Sequence, residues 1–226
     1  MDTTSTNNLK LHLDILPVKT RKALDFLSKE SWLAQTNWYL AGGTALALQA
    51  GHRNSVDLDF FTHDKDFDND ELLEHFTSGS DWHTDLNKKN TIYGEFFGAK
   101  VSFIAYPFFV SAEKPVLFGS IKILKPADIA VMKIIAISQR GKKRDFFDLY
   151  WLAHHGEPLE ISIPKLKTQY PFVAHDYHHI LKSLVYFEDA ESDLTPEINF
   201  NASWKEIKEF FMREIPKITR NLVDLM

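Results

Sequence analysis

The sequence predicts an α+β fold, with a mixed β-sheet core over residues 1–124 and a helical C-terminal part over 125–226 packed on it. Three observations predict it. Residues 39–61 read as strand, glycine turn, short helix, polar turn and strand. Residues 81–106 read as β structure, with Thr91–Tyr93 and Glu95–Phe97 leading into Lys100–Tyr106, which alternates as a strand or hairpin does. From Pro126 onward the apolar spacing changes to the helical period. At 226 residues with 44% apolar residues and 18 Phe, the chain can bury a sizeable core.

In order, Met1–Asn8 has no basic region followed by an apolar one, so no signal peptide is expected, and residues 1–14 form a polar lead. Pro17 to Lys29 is an amphipathic helix opened by proline. Ser31 to Asn37 reads as a connector, and Trp38 to Ala41 as a short strand that Gly42-Gly43 ends. Thr44 to Gln49 is nearly all apolar and predicts a buried helix, closed by Gly51 where a left-handed residue is needed. Val56 to Phe61 is the next strand. Its alternation places Asp57 and Asp59 on one face, with Leu58 and Phe60 turned to the core.

The acids of Thr62–Glu71 resemble a calcium loop, but no glycine stands sixth and no Glu twelfth. A helix capped by Asp68, with Glu71 completing a capping box and Leu72, Leu73 and Phe76 facing inward, is the better reading. Pro107 and Pro115 bracket a loop, and Ile121 to Leu124 is a last short strand. Helices follow at Pro126–Arg140 and Arg144–His155, joined by Gly141-Lys-Lys. Two or three more are expected across Pro164–Tyr170, His175–Phe187 and Trp204–Met226.

Composition narrows the chemistry. The absence of cysteine excludes disulfides, thiolate zinc sites and Cys nucleophiles. No apolar run is long enough to span a bilayer, so a cytoplasmic location is expected. No serine stands in a G-x-S-x-G context. Net charge is −5, unevenly spread. Residues 57–85 hold ten acids and one Lys, whereas 125–151 hold six Lys or Arg against three Asp. One region suits a cation and the other suits phosphates.

Paired carboxylates beside a Gly-Gly turn carry the sharpest functional signal. Asp57 and Asp59 repel unless a cation lies between them. Magnesium is commonly held by one or two carboxylates together with substrate phosphates. Gly42 and Gly43 let the backbone approach a phosphate, and the amides opening the Thr44 helix point at it. Arg53 and Ser55 precede the acidic strand; Arg53 either clamps a phosphate or pairs with Asp57 or Asp59. His52 is a turn residue. His175 and His179 have metal-pair spacing but no evident third ligand.

These residues also carry a resemblance. Gly42-Gly-Thr-Ala-Leu-Ala-Leu48, then His52-Arg-x-Ser-x-Asp-Leu-Asp-Phe-Phe61, resemble the first motif of the AbiEii/AbiGii-type nucleotidyltransferase toxins, within the DNA polymerase β-like superfamily. Lys125 to Lys133 and Arg140-Gly-Lys-Lys-Arg-Asp-Phe-Phe-Asp-Leu-Tyr150 resemble the second block. The resemblance implies a nucleotidyltransferase-like core and transfer of a nucleoside monophosphate from an NTP, with Mg²⁺ on Asp57 and Asp59. It implies a phosphate cradle at Gly42, Gly43 and Thr44, and adds to the catalytic set Lys133, stabilising the pyrophosphate, and an Asp of the second block, for which Asp148 before Leu149 matches best and Asp145 second. It further implies tRNA as acceptor and a separately encoded antitoxin as partner.

Beside these roles stand plainer ones. Lys133, in an apolar helix face, needs an anionic partner or a route to water. Arg144 and Asp148, four apart, form an exposed helical salt bridge, and Asp145 complements the helix dipole. Where many superfamily members carry a third acid, this chain has Ser102, with Glu95 as the neighbouring substitute. A small-molecule (aminoglycoside-type) nucleotidyltransferase and a weakly catalytic nucleotide-binding interaction protein are the alternative functions.

Overall fold

The computed structural model describes residues 10–76 and 81–223; residues 1–9 of the expected polar lead and 224–226 of the helix expected to reach Met226 lie outside the described residues. Seven strands form one mixed sheet: β1 Tyr39–Ala41, β2 Leu58–Thr62, β3 Trp82–Lys88, β4 Thr91–Phe96, β5 Ala99–Ala105, β6 Val116–Phe118 and β7 Ile121–Ile123. Their spatial order is β3-β4-β5-β2-β1-β7-β6. β2 runs antiparallel to β1 and parallel to β5, so Ala41, Asp59 and Ser102 stand in one row across the sheet.

The helices are α1 Val18–Leu27, α2 Ser31–Gln35, α3 Gly42–Ala50, α4 Asn69–Glu74, α5 Pro126–Arg140, α6 Lys143–His155, α7 Leu159–Ser162, α8 Leu166–Gln169, α9 Tyr177–Ser183, α10 Glu188–Glu191 and α11 Trp204–Val223. Pro17, with its fixed φ, caps α1, Asp68 caps α4 through the amides of Asp70 and Glu71, and left-handed glycines at 51 and 141 close α3 and α5.

Strand alternation gives the sheet two unlike faces. Leu58 and Phe60 are fully buried, as the sequence predicts. Phe60 stacks on Phe103 of β5 at 5.1 Å, and Trp32, Trp38 and Phe76 close around Phe103. This aromatic layer, continued by the Phe26–Phe96 contact from α1, is the core between the sheet and helices α1, α2 and α4. The opposite face carries Asp59 and Ser102 and meets α3 and α5.

Several expectations are corrected. The 31–37 connector contains α2, because burying Leu33 and packing Trp32 favour a turn of helix there. α3 begins at Gly42 rather than Thr44, the chain turning within that residue at φ +72°. β2 starts one residue after Asp57, whose carbonyl takes the Thr44 hydroxyl instead of a ladder partner. α6 starts at Lys143. A strand unseen in the sequence, β6, pairs with β7 across the left-handed Gly119; Pro115 masks it. The expected 164–170 and 175–187 helices shorten to α8 and α9, and α7 and α10 are additional.

Candidate active site

A cleft of about 530 Å³ lies between the Asp59 face of the sheet, the N-terminus of α3, and α5 with the start of α6. Gly42, Gly43, Thr44, Arg53, Ser55, Asp57, Asp59 and Lys133 all line it. Of the sequence-predicted site residues, Asp148 does not, and neither does Glu95, the substitute for a third acid.

The glycines are required by space as well as by backbone. A Cβ on Gly42 would stand 3.2 Å from the Asp59 carboxylate, and one on Gly43 would stand 2.2 Å from the Arg53 guanidinium. Their absence lets α3 open directly onto both groups. No side chain caps α3, so its first amides are available to an anion and the helix dipole favours one there. Thr44 and Ser55 share a 2.8 Å hydrogen bond, and the Thr44 hydroxyl donates to the Asp57 carbonyl, which ties the helix start to the acidic segment.

Asp57 and Asp59 differ in setting. Asp57 is partly exposed and faces Arg144 at 3.4 Å. Asp59 is more enclosed and accepts a 2.7 Å hydrogen bond from the Ser102 hydroxyl. Burial raises the Asp59 pKa; the Ser102 bond counters this, and the Asp57 charge reinforces it. Two hard oxygen donors on one side of the cleft fit a magnesium-like cation completed by substrate phosphates. Among the described residues no third His, Cys, Asp or Glu completes a metal cluster with them. Glu95 does not line the cleft, so it does not replace the acid that Ser102 displaces.

The raised Asp59 pKa would make the binding of any cation held by this pair pH-sensitive. A proton competes with the cation at higher pH than at an ordinary aspartate near 3.8, so affinity should fall on acidification before that range is reached. Mn²⁺ titrations followed by electron paramagnetic resonance at stepped pH check this; a transition at or below the ordinary value contradicts it.

Behind the cleft lies a buried charge network. Asp148, fully enclosed, accepts from Arg53 Nε at 2.6 Å and Nη2 at 2.9 Å and from His52 Nε2 at 2.8 Å, and it pairs with Lys133 Nζ at 2.6 Å. Lys133 also reaches Asp145, likewise enclosed, at 2.6 Å, and Arg140 pairs with Asp145 at 2.9 Å. Burial alone would raise the Asp148 pKa; Arg53 and Lys133, with the hydrogen bonds from Arg53 and His52, outweigh it and hold the carboxyl well below its usual range. Burial lowers the His52 pKa despite its bond to Asp148, so the ring is neutral near pH 7 and donates through Nε2.

The network revises four expectations. Arg53 pairs with Asp148, not with Asp57 or Asp59. Arg144 pairs with Asp57, not with Asp148. His52 is a buried partner of Asp148 rather than a simple turn residue. Asp145 neutralises Lys133 and Arg140 as well as standing in the first turn of α6. The anionic partner required by Lys133 is present twice. His175 and His179 bond the carbonyls of Tyr170 and Ser138. Sequence reasoning missed the roles of His52 and Asp145; adjacency to Arg53, and a place one helix beyond Lys133, were the available signals.

Comparison with known proteins decides the family. Residues 33–107 and 103–222 match the model of the nucleotidyl transferase AbiEii toxin family, described as a type IV toxin–antitoxin system. The chain belongs to the AbiEii family. A protein of Aquifex aeolicus (strain VF5), aq_aa25, is 39% identical over 189 residues, which is 82% of this chain and 89% of that protein. Two crystal structures from Helicobacter pylori share the fold. JHP933 has 21% identity and a TM-score of 0.50, covering 93% of this chain and 99% of that one. A nucleotidyltransferase candidate from the same organism has 18% identity and a TM-score of 0.51 at the same coverage. The glycine turn, Asp57 and Asp59 of this AbiEii chain therefore lie within the span matched by the family model, on a nucleotidyltransferase-like mixed sheet. Among the described residues no helix is long and apolar enough to cross a membrane.

Proposed function

We propose that this AbiEii-family nucleotidyltransferase transfers a nucleoside monophosphate from an NTP to the end of a tRNA, as the toxin of a pair whose antitoxin is a separately encoded protein. The observation that carries the reading is the juxtaposition of Asp57 and Asp59 with the uncapped α3 N-terminus across a Gly-Gly opening. Gly42, Gly43 and Thr44 bind the phosphates through their backbone, and Asp57 and Asp59 would hold Mg²⁺. The bound cation supplies Lewis-acid stabilisation of the triphosphate charge. An acceptor hydroxyl attacks the α-phosphorus and releases its proton to solvent, the bond from the α-phosphorus to the bridging oxygen breaks, and pyrophosphate leaves with that oxygen. Asp148 acts from behind by fixing Lys133 and Arg53 at the cleft wall. The basic 140–144 run supports a polyanionic acceptor, and the cytoplasm is where NTPs and tRNA meet.

Incubating the protein with each α-labelled NTP, Mg²⁺ and either total tRNA or aminoglycosides tests the reading. Label on tRNA that disappears with EDTA is expected. Label only on a small molecule would overturn the tRNA acceptor, and NTP binding without transfer to any acceptor would overturn catalysis.

A further inference from the structure

Five cationic side chains line the cleft: Arg53, Lys100, Lys133, Arg140 and Arg144. Three of them are already committed. Arg53 and Lys133 are neutralised by the enclosed carboxylates of Asp145 and Asp148, and Arg140 pairs with Asp145. Drawing Arg53 or Lys133 toward a ligand would leave a buried carboxylate uncompensated, which is costly. They shape the cleft wall more than they offer free charge.

Arg144 differs. Its side chain is 47% exposed, and among the described residues its hydrogen-bonding partner is Asp57 alone, at 3.4 Å. That contact is long for a charge-assisted bond and is open to solvent, so it is cheap to exchange. The guanidinium stands one carboxylate away from Asp59, and Asp59 in turn lies against Gly42 at the start of α3. An elongated anion lying along the α3 amides would end within reach of Arg144. A guanidinium matches phosphate oxygens bidentately.

We infer that Arg144 is a polyphosphate ligand held in reserve by Asp57: it leaves that carboxylate when the triphosphate enters and closes on the phosphate oxygens. This rests on the nucleotidyltransferase reading of the cleft. It makes Arg144, rather than Lys133, a source of uncommitted positive charge for the substrate, beside Lys100 in the same cleft.

Inorganic tripolyphosphate, which carries no base, is the probe. Calorimetric titration in EDTA compares wild type, Asp57→Asn, Arg144→Ala and the double variant. Asp57→Asn should bind more tightly than wild type, because it frees Arg144 and removes a repelling charge. Adding Arg144→Ala to it should cost roughly tenfold in affinity, the scale of one charge-assisted bidentate contact, and Arg144→Lys should cost less. Unchanged thermal midpoints report intact folds. Equal affinity of Asp57→Asn and the double variant would overturn the role of Arg144 while leaving the phosphate site standing. If EDTA abolishes all binding, the same pairwise comparison in Mg²⁺ decides. No binding by wild type in Mg²⁺ would overturn the phosphate site itself.

Discussion

Asp148→Ala is expected to cost about 3–5 kcal/mol of stability, the scale for removing one partner of a buried ion pair. Against a total of roughly 5–15 kcal/mol for an ordinary domain, that leaves the protein near its unfolding threshold. The substitution removes the acceptor shared by His52, Arg53 and Lys133, and Asp145 alone must then balance the buried cations. Asp148→Asn keeps the shape and loses the charge, so its cost should be smaller. Urea denaturation at pH 7 measures both; a loss under about 1 kcal/mol for the alanine would refute the network's structural role.

The same network sets the direction of acid sensitivity. The folded Asp148 pKa lies below its unfolded value, so its contribution is present above the ordinary carboxylate range and is lost as pH falls through the folded value. His52 has a lowered folded pKa, so stability begins to decline earlier, as pH drops below the unfolded imidazole value of 6.5.

Asp59→Asn should show the opposite pattern. On the proposed mechanism transfer should fall about a thousandfold or more, since Asp59 would be a charged cation ligand at the reacting phosphate. Stability should hold or rise, because burial of the Asp59 charge is penalised in the folded protein and the amide keeps its place beside Ser102. Expression of the variant in a sensitive host should lift growth arrest. A folded Asp59→Asn protein that transfers at the wild-type rate would remove the carboxylate pair from catalysis. Together the two substitutions separate support from chemistry: one should lower stability, the other should remove only the reaction.

Much of the site was legible in the chain itself. Gly42-Gly43, the alternating Asp57-Leu-Asp59-Phe60, the Pro126 helix start and the glycine caps are local signals, set by φ preference, strand periodicity and helix-end chemistry. The short elements were less legible. α2, β6, α7 and α10 are three to five residues long, too short to show a period; α2, α7 and α10 each bury an apolar residue against neighbours, and β6 exists through its ladder with β7.

Charge pairing lay beyond the sequence for a different reason. Arg53 and Asp148 are 95 positions apart, and Arg144 and Asp57 are 87 apart. Each cation had a plausible carboxylate closer along the chain, Asp57 or Asp59 for Arg53 and Asp148 for Arg144. Coulomb attraction alone does not choose among them; burial does. The enclosed side of α6 carries Asp145 and Asp148 into a water-poor space where only fully paired cations are tolerated, and Arg53 and Lys133 are the ones that reach it. Sequence alone determined that this protein presents two carboxylates beside a glycine-opened helix. Only the tertiary structure decided which cations buried carboxylates hold in the cleft wall and which, Arg144 and Lys100, line the cleft without one.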